Sequence, residues 1–234
     1  MTTSTSQLLS TERFILRPTT MGDMLGALAL ANTCSQAILG TDEFTIDDYR
    51  NSWSDPARDL AADTRIAQTA DGTVVGCAEL WNNAPYVGCW IWVCVHPAFY
   101  GQDIGTALMD WAEQRARVAL DRAPAGTRIV LESSANSGHQ PSLDLLSERG
   151  YSAVHRRLSM ARDLAGDLAI PLWPAGITVR PMRPGEELAL YRAKNEAFRD
   201  HWGHVEAPEQ AGFADWQHRR INDPSYDPSL WFLA

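Results

Sequence analysis

The residues with the clearest chemical meaning lie between Val87 and Leu108, in the stretch VGCWIWVCVHPAFYGQDIGTAL. A long apolar run ends at Val95, a short turn carries Gly101 and Gly105, and an amphipathic helix begins near Ile104. A turn feeding a helix N-terminus attracts anions, because its unpaired N–H groups and the helix dipole point at one place. Residues 100 to 106 therefore form a candidate phosphate cradle. Gly101-x-x-x-Gly105 lacks the full glycine spacing of a dinucleotide fingerprint, so on its own it specifies no nucleotide fold. Glu79 and Glu132 each stand late in a β-type run, where a carboxylate either meets solvent or reaches a cleft and accepts a proton. His96 precedes Pro97 and reads as a turn cap. His201 and His204 (HWGH) have no cysteine or carboxylate set to complete a tetrahedral site, so no metal is expected.

The elements that must position these groups are legible from periodicity. Phe14 to Arg17 reads as a strand stopped at Pro18, and a helix with Leu25, Leu28, Ala29 and Ala31 on one face follows. Thr45 caps a second helix with Asp47 and Asp48 in its first turn, and Asp55-Pro56 interrupts or ends it. Thr64 to Leu80 is a pair of strands around Asp71-Gly72, a strong hairpin signal. Along 87–95, Val87, Cys89, Ile91, Val93 and Val95 share one face, and Gly88, Trp90, Trp92 and Cys94 the other. Both faces are apolar, as in a central strand covered on both sides. A helix over 104–121, a strand over 127–133, a helix over 142–149 closed by Gly150, and a last strand over 151–160 complete the unit. The order β-α-α-β-β-β-α-β-α-β predicts an α/β fold with a mixed sheet.

Residues 164–176 (LAGDLAIPLWPAG) read as a linker. Beyond it the chain repeats its own beginning, with Ile177-Thr178-Val179-Arg180-Pro181 echoing Ile15-Leu16-Arg17-Pro18. The offset is 163 residues at Arg-Pro and 168 at Asp-Pro (Asp55-Pro56 and Asp223-Pro224), as in an internal repeat. The expected organisation is a domain over 1–163, the linker, and over 177–234 the N-terminal half of a second domain. The run Leu230 to Ala234 reads as a strand that must pair with another, within the chain or in a second copy as a homodimer.

Composition narrows the partners. There are 20 basic against 29 acidic residues, net −9, which argues against a nucleic-acid binder and favours a cationic or neutral substrate. Hydrophobic residues make up 45% of the chain, enough for a core. No apolar run approaches membrane-spanning length, and the first residues lack the pattern of a signal peptide. Four cysteines without a C-x-x-C pair read as reduced thiols, and a cytoplasmic location is expected.

Taken together, VHPAFYGQDIGTAL, the ending SERGY and the tandem arrangement resemble the GNAT-type N-acetyltransferase superfamily, most closely its two-domain actinobacterial members. The resemblance implies a mixed central sheet of the acyl-CoA N-acyltransferase type, followed by a partial second copy. It implies acetyl-CoA as co-substrate, with its diphosphate on Tyr100, Gly101, Gln102, Asp103, Ile104, Gly105 and Thr106. The pantetheine arm would lie beside Val93, Cys94 and Val95 and near Asn136, and Glu79 or Glu132 would be the general base. The reaction would be direct attack of a small-molecule primary amine on the thioester. Against the family pattern Gln/Arg-x-x-Gly-x-Gly/Ala, the chain places Tyr100, Asp103 and Gly105. The first supplies no positive charge, and the second puts a carboxylate where glycine admits phosphate. Leu146 replaces the tyrosine that often protonates the leaving thiolate. A catalytically silent structural or ligand-binding domain is the alternative reading.

Overall fold

Alternation along Gly88–Val95 (β4) divides the molecule into two layers. In the computed structural model, which describes residues 14–163, 165–166 and 169–234, Cys89 and Ile91 pack on Met109, Ala112 and Ala116 of the helix Ile104–Val118. The opposite face packs on the helix Met24–Leu39 (α1), with Cys94 against Leu30 and Cys34, and Trp92 beside Ala27 and Ala31. Cys89 and Cys94 thus lie on opposite faces, as their odd spacing requires. Residues 1–13, where the absence of a leader was inferred, and Leu164, Asp167 and Leu168 of the linker lie outside the described residues.

The sheet runs β1 (Ile15–Pro18), β2 (Thr64–Gln68), β3 (Val74–Trp81), β4, β5 (Val130–Ser133) in spatial as well as chain order. The first three junctions are antiparallel, and β4 to β5 is parallel. Between β1 and β2 lie α1, α2 (Ile46–Trp53) and the single turn α3 (Leu60–Asp63). Thr45 and Asp48 form the reciprocal cap of α2, which ends ahead of Asp55-Pro56. The crossover from β4 to β5 is α4 (Ile104–Val118), seated on β3 where a glycine leaves room. A Cβ at Gly76 would come within 2.7 Å of Ile104 and 2.9 Å of Leu108. After β5, α5 (Gln140–Glu148) packs Leu145 and Leu146 against the α4 cluster.

The strand expected over 151–160 is not formed. The segment has no regular secondary structure and pairs with no strand, with Val154, Leu158 and Met160 exposed, so β5 remains the sheet's edge. Its alternation is interrupted by His155-Arg156-Arg157, which leaves little apolar surface to bury against a neighbour. Tyr151 packs under α4 with its hydroxyl 3.4 Å from Glu113, and His155 stacks on Trp202 with ring centroids 4.2 Å apart. Other boundaries move slightly. The α4 helix gives way to a 3₁₀ turn at 119–122, β5 begins at Val130 because Thr127 closes a turn onto Pro124, and α5 starts two residues early.

The second unit repeats the opening of the first in its hydrogen bonds. β6 (Arg180–Pro181) pairs antiparallel with β7 (Phe232–Leu233), as Arg17 and Pro18 pair with Ile66 and Arg65. Arg17 holds Asp23 through two N–H groups and also donates to the Pro18 carbonyl. Arg180, 163 residues on, holds Glu186 in the same fork and donates to the Pro181 carbonyl. The strand at the chain end therefore finds its partner within the chain. Helices α6 (Glu187–Ala197) and α7 (Glu209–Trp216) fill the interval, packed through Tyr191, Phe213 and Trp216. The units meet at Asn51, whose amide donates to Asp223 at 2.9 Å and whose carbonyl is 2.9 Å from His218 Nε2. Arg219 reaches Asp55 at 3.4 Å, and Asn83 donates to Asp215. No helix among the described residues is long and apolar enough to cross a membrane.

Candidate active site

The parallel ladder between β4 and β5 ends at the Ile91–Ser133 pair, while β4 continues to Val95. Ser133 closes that ladder by donating its hydroxyl to the Ile91 carbonyl at 3.0 Å. Beyond this point the strands part, and a cleft of about 540 Å³ opens between them. Its walls are Trp92 to Val95 on β4, Ser133 to Asn136 after β5, Cys34 and Ile38 on α1, and Leu145 and Leu146 on α5. On this side β4 beyond Ile91 faces the cleft in place of a strand, and its backbone polar groups there need partners other than a sheet neighbour.

The floor is the turn after β4. His96 accepts from the Ala98 amide at 3.2 Å and starts a 3₁₀ turn over Pro97–Phe99, so it is a cap. The chain then passes through two left-handed residues, Gly101 at φ 71° and Asp103 at φ 61°, before entering α4. Left-handed geometry is natural for glycine and, among other residues, least costly for asparagine and aspartate. The helix starts on the Asp103 carbonyl, which accepts from Ala107 at 3.0 Å. Among the described residues, the amides of Gly101, Gln102 and Asp103 donate to no protein acceptor. A Cβ at Gly101 would meet nothing within 4 Å, so the turn can be approached closely. Gly105 does a different job. A Cβ there would come 3.2 Å from Leu145, and its absence lets α4 and α5 close together. The cradle has the open amides and the access a diphosphate needs.

Eleven of the residues expected to hold a cofactor are brought into this one cleft: Val93, Cys94, Val95, Tyr100, Gly101, Gln102, Asp103, Ile104, Gly105, Thr106 and Asn136. Asn136 also shapes the local turn, accepting from Gly138 at 2.8 Å. The two carboxylates expected to act as base are not among the lining residues. Glu79 points to the α1–α2 side, paired with Arg58 at 2.7 Å and accepting from Trp53 Nε1 at 3.1 Å. Both side chains are about 5% exposed or less, and Arg58 also donates to Ser52 and Thr64 while stacking over Trp81. Glu132, opposite Trp90 in the β4–β5 ladder, is half-buried outside the cleft.

A cluster that residue spacing does not announce lies at the cleft's mouth. His139, the residue before α5, places Nε2 at 3.1 Å from the Tyr100 hydroxyl and Nδ1 at 2.7 Å from the Ser142 hydroxyl. The contact joins positions 39 apart, and only Ser142, three residues on, hinted at it as a helix-start pairing. Burial holds the His139 imidazole below its usual pKa and raises the Tyr100 phenol. On the α1 wall, Cys34 donates to the Val95 carbonyl at 3.2 Å, and a hydrogen bond with the Cys94 thiol holds its own thiol below the usual value. All four cysteines are free and buried. Among the described residues no group of three or more histidine, cysteine or acidic side chains could hold a metal.

A parted β4–β5 pair above an amide-rich turn and helix makes a cleft suited to an extended anionic ligand. Residues 33–151 match the acetyltransferase (GNAT) family, half of the chain, and the protein belongs to that family. A mycothiol acetyltransferase from Streptomyces avermitilis is 33% identical over 173 residues, which is 71% of this chain and 49% of that protein. One from Salinispora tropica is 30% identical over 220 residues, 92% of this chain and 66% of that protein. The crystal structure of a GCN5-related N-acetyltransferase from Sphaerobacter thermophilus superposes with a TM-score of 0.74 at 25% identity, over 95% of this chain and 67% of that one. The chain spans about half the length of most of the curated relatives it matches.

Proposed function

We propose that the chain is an acetyl-CoA-dependent N-acetyltransferase acting on a primary amine of a small molecule. The observation that carries this reading is the parting of β4 from β5 above the turn at Gly101 and Asp103. The turn amides and the start of α4 would take the diphosphate, and Val93 to Val95 would pair with the pantetheine arm. The acetyl carbonyl would then lie against β4, where a backbone amide can stabilise the oxyanion as the amine attacks. The leaving group is a thiol with a pKa near ~8.5 or somewhat above, which departs without a strong acid, so aliphatic Leu146 in the wall is tolerable. The proton of the attacking amine passes to water in this reading, because Glu79 is committed to Arg58 and Trp53. The name of the relatives supports a small-molecule acceptor. The duplicated Arg–carboxylate forks support reading residues 177–234 as the first half of a second such unit, joined to residues 1–163 by a linker over 164–176. Buried free thiols agree with a reducing, cytoplasmic setting.

A second reading is favoured by the absence of Glu79 and Glu132 from the cleft lining: the unit holds acyl-CoA without turning it over. Thiol release from acetyl-CoA with a panel of small primary amines, measured beside cofactor binding, separates the two. Amine-dependent release supports the enzyme. Binding with no release for any amine supports the silent unit, and absence of binding removes both.

A further inference from the structure

The fixed charge of the cleft opposes the ligand it is shaped for. Its lining holds one guanidinium, Arg157, against two carboxylates, Glu43 and Asp103. An anionic cofactor gains from the turn amides and helix dipole but meets net negative side-chain charge. The lining residue that can change the balance is His139.

Its geometry suits that task. The imidazole is fixed at both ends, by Tyr100 from the phosphate turn and by Ser142 from α5, and the Tyr100 and His139 rings lie 5.4 Å apart. A neutral imidazole donates through one nitrogen and accepts through the other, so one of the two hydroxyls must spend its proton on the ring. A doubly protonated ring donates through both nitrogens. Each hydroxyl then becomes an acceptor, and its own O–H is released to point into the cleft. We propose that Tyr100 and His139 form a proton-dependent clasp for the cofactor's diphosphate: protonation of His139 supplies the missing charge and turns the Tyr100 hydroxyl into a donor toward the phosphate. This rests on the acyl-CoA reading of the cleft and adds to it a residue that sets cofactor affinity.

The sign follows from the charges. Burial holds the empty-site imidazole mostly neutral at neutral pH, and a bound dianion favours its protonated form. Affinity therefore rises as pH falls through the His139 pKa of the complex, and levels off below that of the free protein. The other titratable or charged groups facing this space are Asp103 on the turn, Glu43 after α1, Cys34 on α1, Cys94 on β4 and Arg157 on the segment after α5. Whatever these groups and the phosphates contribute to the slope is also present in His139→Gln, so the difference between the two proteins isolates the imidazole.

The test is calorimetric titration of the full chain with coenzyme A at about pH 5.5 and about pH 8, for wild type, His139→Gln and Tyr100→Phe. Wild type should bind about tenfold tighter at the lower pH, after subtraction of the slope that His139→Gln retains from the phosphates themselves. Tyr100→Phe should lose a large part of that gain. A wild-type slope equal to that of His139→Gln overturns the clasp while leaving the acyl-CoA reading standing, whereas no binding at either pH overturns both. Should the variants misfold, the His139 ring resonances of wild type give the same answer. Their titration midpoint rises when coenzyme A is added if the clasp exists, and stays put if it does not.

Discussion

Asp103 sets a carboxylate beside the turn proposed to hold the cofactor's diphosphate. Its backbone sits at φ 61°, so a glycine there would be conformationally easier, and its exposed carboxylate stands at the edge of the phosphate cradle. At about 5 Å the repulsion of one phosphate charge is roughly 3 kcal/mol at an effective dielectric near 20, and about 1 kcal/mol if water screens it fully. Exposure favours the lower figure. Asp103→Asn should therefore tighten coenzyme A binding by roughly five- to tenfold at low salt, a gain that shrinks as salt is added. Asp103→Gly should add thermal stability of about 1 kcal/mol by relieving left-handed backbone. Glu79 carries a prediction of the opposite kind. Glu79→Ala leaves the Arg58 guanidinium buried without its counter-ion and should cost roughly 3–5 kcal/mol in urea unfolding. A large loss of kcat in Glu79→Gln with stability intact would show instead that Glu79 takes the amine proton.

At the scale of elements, the Arg17–Asp23 and Arg180–Glu186 forks tie each first strand to the turn that begins its first helix. Arg17 holds the Asp23 carboxyl well below its usual range, and Arg180 holds Glu186 at about 2. A carboxylate with a depressed pKa stabilises the fold fully above its unfolded value and loses that contribution as pH falls through the folded one. Acid unfolding followed by circular dichroism should thus show the Asp23→Asn variant less stable than wild type near neutrality, with the gap closing below about pH 4. These forks were within reach of the sequence as an Arg-Pro repeat at a fixed offset, although their ion pairs were not. The helix starts, the Asp71-Gly72 turn and the two faces of β4 were legible because periodicity and capping are local. The edge at β5 was not. Whether 151–160 joins a sheet depends on a neighbour the segment does not contain, and its loose alternation could not settle that.

For the whole molecule, the seam between the units includes the polar contacts of Asn51 and the stack of His155 on Trp202. Asp223→Ala removes the partly buried bond from Asn51 and the two bonds the carboxylate accepts from Ser225, and should cost about 1–2 kcal/mol, read as a lowered thermal midpoint, while leaving the cleft, whose lining holds neither Asn51 nor Asp223, able to bind. The turn into α4 was readable from 100–106 alone, since two glycines and a helix start occur in one stretch. The rest of the cleft was harder. The Tyr100–His139 contact and the burial of Glu79 by Arg58 join distant positions, and both depend on how α5 and α2 pack. Calorimetric titration of the purified chain with acetyl-CoA near pH 6 tests the central claim most directly. A saturable one-to-one heat in the micromolar to submillimolar range, lost when Gly101 is replaced by a bulky residue, is the predicted result. No heat up to millimolar cofactor would contradict it.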